Sequence, residues 1–288
     1  HEAIVFLQRL NDVIKSRFPE TITIADESCA YLTVTVPTTK QGLGFTFKWK
    51  SLWMNDFLNY LGYDPYFRQF NHENLIKTIR SNGTEHFILP ISHEEFRTAE
   101  GILFNRIHGN KIEKIANLKA AYTYLVGQPG KKMFFMGQDF AQKSEWSYDH
   151  QLDWYQRCDP EHRRLHHFFR DLMTIYKKYG CLYTDDDALN SFLWINADDK
   201  QRSIISFVRK APKSGTNLLF VINFAPSAYT NFSVGVPRKG KYTLILNEKE
   251  GLLKTEPEAL TAIAERCDNQ PYKLEFHLSA YGIAVFKF

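Results

Sequence analysis

The chain has 288 residues, is 44% hydrophobic and 24% charged, and carries a net charge of +4. That length suits one large domain or two smaller ones, and the balance of apolar and charged residues argues against disorder. The excess positive charge is small and scattered. Its densest cluster, "HRRLHHFFR" at 162–170, alternates with apolar residues at helical spacing and reads as a solvated helix face rather than a nucleic-acid surface.

No apolar run approaches the roughly 18 residues of a membrane span, and no signal peptide is visible. Cys29, Cys158, Cys181 and Cys267 are far apart and form no CxxC pair. This disfavours a metal centre or a disulfide framework and suits a reducing, cytoplasmic compartment. Aromatic residues make up 15% of the chain, a content compatible with sugar-binding surfaces as well as with core.

Residues 2–18 place Ala3, Phe6, Leu7, Leu10, Val13 and Ile14 on one stripe, so an amphipathic helix is predicted there, ended by Pro19. "TITIA" (21–25) follows as a buried strand. "GLGFTFKWK" (42–50) reads as a second strand, "SLWMNDFLNYLGY" (51–63) as a helix and "HFILPIS" (86–92) as a third strand. A long helix spans 110–130 and closes on Gly-Gln-Pro-Gly. "KKMFFMG" (131–137) is a fourth strand, and 160–180 a last helix with Pro160 at its start and Gly180 at its end.

Near-continuously apolar strands alternating with helices predict a parallel α/β layer. After Thr184 the character changes. "FLWINA", "SIISFVRKA", "NLLFVINFA", "NFSVGV", "KYTLIL", "YKLEFHL" and "GIAVFKF" are short strands set apart by turns, the pattern of an antiparallel all-β domain. The acidic stretch 184–190 is the expected boundary, giving domains 1–184 and 185–288. Because the chain opens on a helix with no strand before it, it reads as a fragment.

Acids gather where the first, third and fourth strands end: Asp26 and Glu27, then His93, Glu94 and Glu95, then Asp139. In a parallel barrel the active site lies at the C-terminal ends of the strands. Cleaving a glycosidic bond takes two carboxyl groups, one a nucleophile and one an acid of raised pKa. One such acid alone is more often a loop salt-bridge partner; three strand ends carrying acids shift that balance. The adjacent His166 and His167 face different ways on a helix and make a poor metal pair.

Over essentially its whole length the chain resembles the second half of the 1,4-α-glucan branching enzymes of glycoside hydrolase family 13, in the α-amylase superfamily. The stretches that carry the resemblance are "TIADES", "GLGFTFKWKSLWMNDFLNYLGYDPYFRQFNHENL", "FILPISHEE", "ANLKAAYTYLVGQPGKKMFFMGQDFAQKSEW" and "LDWY". It implies the C-terminal part of a (β/α)8 TIM barrel, entered at the helix after the fourth strand, followed by a β-sandwich. It further implies α-glucan (glycogen, amylose) as the partner, transfer of a cleaved chain to a 6-hydroxyl, and no cofactor or metal.

The family's nucleophile motif, Gly-Phe-Arg-x-Asp on the fourth strand, does not occur here. The resemblance gives Asp26 the place of the acid/base and His93 and Glu94 the places that steady the sugar. It makes Glu27, Trp49, Trp53, Glu95, Asp139 and Trp146 candidate substrate contacts, the three tryptophans being as readily core as groove. The family reads Glu where Asp26 and Asp139 stand, and Asp where Glu94 stands. Asp is one methylene shorter than Glu, about 1.5 Å of reach, and a misplacement near 1 Å costs on the order of 100-fold in rate. An impaired catalyst is therefore expected, and the alternative is a relative that binds α-glucan or a partner protein without turnover.

Overall fold

The computed structural model describes residues 1–26, 33–80, 85–92, 103–184, 188, 190–212, 215–249, 251–252 and 259–288. Helix α1 (Glu2–Arg17) leads into strand β1 (Ile24–Ala25), β2 (Phe47–Trp49), helices α2 (Ser51–Gly62) and α3 (Glu73–Arg80), and β3 (Phe87–Ile91). Helices α4 (Leu103–Arg106) and α5 (Lys111–Gly127), strand β4 (Lys131–Phe134) and helix α6 (Pro160–Lys178) complete this layer. The four strands are parallel and neighbour one another in chain order.

Local chemistry sets the long helices. Asn110 caps α5, its side chain accepting from the Glu113 amide while the Glu113 carboxylate accepts from the Asn110 amide. The helix stops before Pro129, which forces Gln128 into an extended conformation. Asp159 caps α6 ahead of Pro160. Its carboxylate lies 2.6 Å from the Lys111 amine, which ties the starts of α5 and α6 together and holds the acid down to about 2.

Two sequence expectations change. The segment 21–25 is not a buried strand: β1 is two residues long at the sheet edge, with Ile22 60% and Ile24 47% exposed. Helix α1 forms, but its apolar stripe is not core. Phe6, Leu10 and Val13 face solvent, and the side that packs carries Asn11 instead, whose amide donates to the Leu43 carbonyl at 2.8 Å. Among the described residues no second layer covers that stripe, so its spacing shows only that an apolar face exists.

From Phe192 onward the chain is β: β5 (Phe192–Asp199), β6 (Ile204–Arg209), β7 (Leu218–Asn223), β8 (Tyr229–Val236), β9 (Lys241–Asn247), β10 (Gly251–Leu252), β11 (Ala259–Thr261), β12 (Tyr272–Leu278) and β13 (Ile283–Lys287). One sheet runs β10-β9-β13-β7-β6-β5 with β11 also on β9, and β8 and β12 form a facing pair. Successive strand residues point to opposite faces, so this sheet feeds two cores. Ile205, Phe207, Phe220, Ile222 and Val285 pack with α2, α5 and α6; Ile204, Val208, Leu219, Val221 and Phe286 pack toward β8 and β12.

The two layers are joined by that shared core and by buried cations. The Arg209 guanidinium donates to the carbonyls of Gly127 (3.1 Å) and Gln128 (2.7 Å) at the end of α5. Gly127 must lack a side chain, because a Cβ there would lie 2.6 Å from the Phe207 ring. Arg68 donates to Asn117 Oδ1 at 2.6 Å and to the Phe224 carbonyl at 2.7 Å.

Candidate active site

Because the strands are parallel, the residues that follow β1, β2, β3 and β4 lie along one edge of the sheet. Asp26 comes directly after β1 with its side chain exposed. The register pairs Ala25 with Lys48, which sets Asp26 level with Trp49, the half-buried last residue of β2. Ser92, buried, follows β3. Glu27, His93, Glu94 and Glu95 lie outside the described residues.

The end of β4 is the most fully built part of this edge. Gly137 turns the chain at φ +84°, a left-handed conformation that disfavours a side chain. Gln138 is buried beyond it. Its Oε1 accepts from the Phe135 amide at 3.0 Å and its Nε2 donates to the Ile91 carbonyl at 3.3 Å, bracing the ends of β3 and β4. The Tyr122 hydroxyl donates to the Gln138 carbonyl at 2.8 Å. Burial, and then the nearby Asp139 carboxylate, raise that phenol well above its ordinary pKa. It remains a donor throughout the working pH range.

Asp139 stands in the short 3-10 turn 138–140, its carboxylate 2.8 Å from Nδ1 of His166 on α6. A ring nitrogen of His162, one turn earlier on α6, lies 2.7 Å from the Phe140 carbonyl. Helix α6 thus fixes the Asp139 turn from behind, and the carboxylate has a protein partner already in place. Trp146 is 40% exposed and edge-on to Phe135 at 5.8 Å. With Met136, Gln142 and Ser144 it borders a cavity of about 30 Å³, room for one or two waters.

Trp53 departs from the sequence reading. It is fully buried on α2 and stacked on Phe57 at 4.9 Å, so it is core and offers no face to a sugar. The sequence reading also passed over three residues. Lys50, after β2, is buried with its Nζ 4.5 Å from the centre of the Phe87 ring. Burial, followed by the neighbouring Lys48 charge, lowers its amine to about 8. The signal was the alternation in "FKWK", which puts Lys48 and Lys50 on one face of the strand. Trp154, tilted against Phe140 at 5.3 Å, and Tyr148, 6.5 Å from Trp146, add exposed aromatic surface near the β4 end. Their signal was "EWSYDHQLDWY", where aromatics and acids recur without helical or strand periodicity.

Asp26 and Trp49 therefore occupy the β1–β2 end of the edge, and Asp139 and Trp146 the β4 end, with β3 between them. An exposed carboxyl able to exchange a proton, a second carboxylate held by an imidazole, and exposed aromatic faces are groups suited to polyhydroxylated substrates.

The profile of the α-amylase C-terminal all-β domain matches residues 194–288. A 1,4-α-glucan branching enzyme GlgB of Butyrivibrio fibrisolvens is 42% identical over 291 residues, covering 100% of this chain and 46% of its own length. GlgB 1 of Clostridium perfringens (strain SM101) is 39% identical, covering 99% of this chain and 43% of its own length. The chain thus spans less than half the length of these curated relatives. Among solved structures, an α-amylase from Geobacillus thermoleovorans in complex with acarbose superposes with a TM-score of 0.68 at 15% identity, covering 99% of this chain and 57% of that one. At that identity the likeness is one of fold.

Proposed function

We propose, from the membership of this chain in the branching-enzyme family of the α-amylase superfamily, that the protein it comes from is a 1,4-α-glucan branching enzyme. The observation that carries the reading is the 42% identity to a GlgB enzyme along the entire chain. The exposed carboxyl of Asp26 at the C-terminal end of a parallel strand supports it.

In this reading a carboxylate outside the chain attacks the anomeric carbon of an α-1,4-glucan. The Asp26 carboxyl gives its proton to the departing 4-oxygen. The glucan chain is then held as a covalent glycosyl ester, and Asp26, now a carboxylate, takes the proton of an incoming 6-hydroxyl as the α-1,6 bond forms. His93 and Glu94 steady the flattened sugar ring. Trp49, Trp146 and Asp139 contact the chain, as do Glu27 and Glu95. Glycogen and amylose are the proposed substrates.

The test is the transfer rate on amylose for Asp26→Glu, Asp26→Asn and Glu27→Gln, made in the protein expressed from its complete reading frame. Asp26→Glu restores about 1.5 Å of reach without changing charge, and activity is expected to rise about 10- to 100-fold. Asp26→Asn should abolish transfer, because an amide exchanges no proton, while Glu27→Gln should matter little, since neighbouring strand residues face opposite ways. Loss in Glu27→Gln with tolerance of Asp26→Asn would transfer the acid/base role to Glu27. The second reading, a glucan-binding relative without turnover, rests on the three exchanged acids. Silence of both the parent and Asp26→Glu on every glucan would favour it.

A further inference from the structure

Two histidines of the basic cluster at 162–170 turn inward. His162 and His166 stand four residues apart and so share one face of α6, while Arg163, Arg164 and His167 are exposed. The shared face meets the turn that follows β4. A ring nitrogen of His162 lies 2.7 Å from the Phe140 carbonyl, Nδ1 of His166 lies 2.8 Å from Asp139 Oδ2, and Tyr122 of α5 donates to the Gln138 carbonyl at 2.8 Å. Three consecutive residues of the turn are thus each met by a different side chain.

The backbone of the turn does not need His166. Tyr122 and His162 fix its carbonyls at positions 138 and 140. The Ala141 and Gln142 amides close on the carbonyls of Gln138 (3.1 Å) and Gly137 (2.9 Å). What His166 adds concerns the Asp139 side chain alone. That side chain is 29% exposed, and among the described residues His166 is its one hydrogen-bond partner. An ionised carboxylate can only accept, so Nδ1 carries the proton and donates it to Oδ2. Oδ1 is left without a partner among the described residues.

We propose that His166 is a positioning residue for substrate: by holding Oδ2 it keeps the Asp139 side chain in one rotamer and presents Oδ1 to a hydroxyl of the bound glucan. That Asp139 contacts the glucan rests on the functional reading above. An acceptor already held in place needs no ordering at the moment of binding, an advantage of about 2- to 10-fold in affinity for one side chain. The pairing also suits the length of the residue. Asp139 stands where the family reads Glu, and a shorter arm has fewer rotamers with which to find a hydroxyl, so its direction matters more.

The experiment measures the Kd for maltoheptaose by calorimetry, and kcat and KM for transfer on amylose, with the protein expressed from its complete reading frame. His166→Leu removes the donor and keeps much of the bulk. His166→Asn sets an amide nitrogen the same number of bonds from Cα as Nδ1. In His166→Leu, Kd and KM are expected to rise together by about 2- to 10-fold with kcat unchanged, the pattern of a lost ground-state contact. His166→Asn should recover most of the loss, and His167→Ala, on an exposed face of the same helix, should match the parent. Added to Asp139→Ala, His166→Leu should change nothing further, because the residue acts through that carboxylate. A purely structural role would instead persist in the Asp139→Ala background and would lower the urea midpoint. Any of four results overturns the proposal: a Kd in His166→Leu equal to the parent's, a loss that persists beside Asp139→Ala, no recovery in His166→Asn, or an Asp139→Ala variant that binds as the parent does. A parent that binds maltoheptaose without transferring it sinks the branching reading and leaves this proposal to be judged by the Kd values; a parent that does not bind it overturns the proposal.

Discussion

Replacing Arg68 with Met keeps the stem of the side chain and removes the guanidinium at the junction of the two layers. That guanidinium is fully buried and donates to Asn117 Oδ1 (2.6 Å), the Phe224 carbonyl (2.7 Å), the Leu61 carbonyl (2.9 Å) and the Tyr63 carbonyl (3.3 Å). Burial lowers its pKa, which registers the cost of desolvating the charge; the nearby Tyr60, Tyr281 and Asp64 act against that shift. Hydrogen bonds from a charged donor contribute about 1.5–3 kcal/mol each, and each buried acceptor left unpaired costs about 1–3 kcal/mol. Removing the desolvated charge offsets part of this, so a net loss of about 3–5 kcal/mol is expected, the range for breaking a buried charged network. With a urea m-value near 3 kcal/mol/M, the unfolding midpoint should fall by about 1–1.7 M. Tryptophan fluorescence follows both layers at once, since Trp53 lies in the helical layer and Trp194 in β5. Arg68→Lys, with a single ammonium in place of the fork, should recover only part of the loss. An unchanged midpoint in Arg68→Met would mean that desolvation cancels the four bonds and that the junction rests on the apolar contacts of Phe207, Phe220 and Phe224 alone.

Lys50 should make stability depend on pH in the opposite sense to an acid. Its folded amine titrates at about 8 against an ordinary 10.5, so below pH 8 the fold carries the whole penalty, and between 8 and 10.5 the unfolded chain holds more protons and stability rises with pH. The gap corresponds to at most about 3 kcal/mol. Lys50→Met should therefore stabilise the protein at pH 7 by up to that amount and leave it unchanged at pH 11; equal shifts in the melting temperature at both pH values would refute the assignment. Limited proteolysis is expected to cut within the proposed boundary at 185–190 and leave a fragment of about 100 residues. Because Arg68, His72 and Arg209 bridge the layers, the two pieces should co-elute on gel filtration until urea is added. Digestion without such a fragment, or pieces that separate at once, would count against this organisation.

What the sequence disclosed follows from the range over which each signal acts. Helices α5 and α6 were legible because Asn110 with Glu113, Asp159 with Pro160, and the stop before Pro129 are all local. Strands β5–β9, β12 and β13 were legible because their alternation reports two faces. Alternation does not say what each face meets, and so the sequence did not reveal that Phe207 and Phe220 pack on α5 while Val208 and Leu219 turn to β8 and β12. Helix α3 was missed for a different reason: at 8 residues it spans barely two turns, too short a window to establish a period.

The misplacements share a cause. The stripe of α1 and the side chains of Ile22 and Ile24 carry the residues of a core, but burial belongs to a pair of surfaces and a sequence displays one at a time. Trp53 is the converse. Its residue type suits a sugar platform, yet its position on α2, beside Phe57 and Tyr124, gives it to the interior. The contact of His72 with the Ala197 carbonyl lies further from view, since it joins residues 125 apart. For Asp26 the sequence supplied the residue type and its place after a strand, and the structure added its register beside Trp49. Reach is the property in which Asp26 differs from the family's glutamate. The difference of one methylene therefore has to be decided by restoring it, and Asp26→Glu is the variant in which charge, fold and register stay the same and reach alone changes.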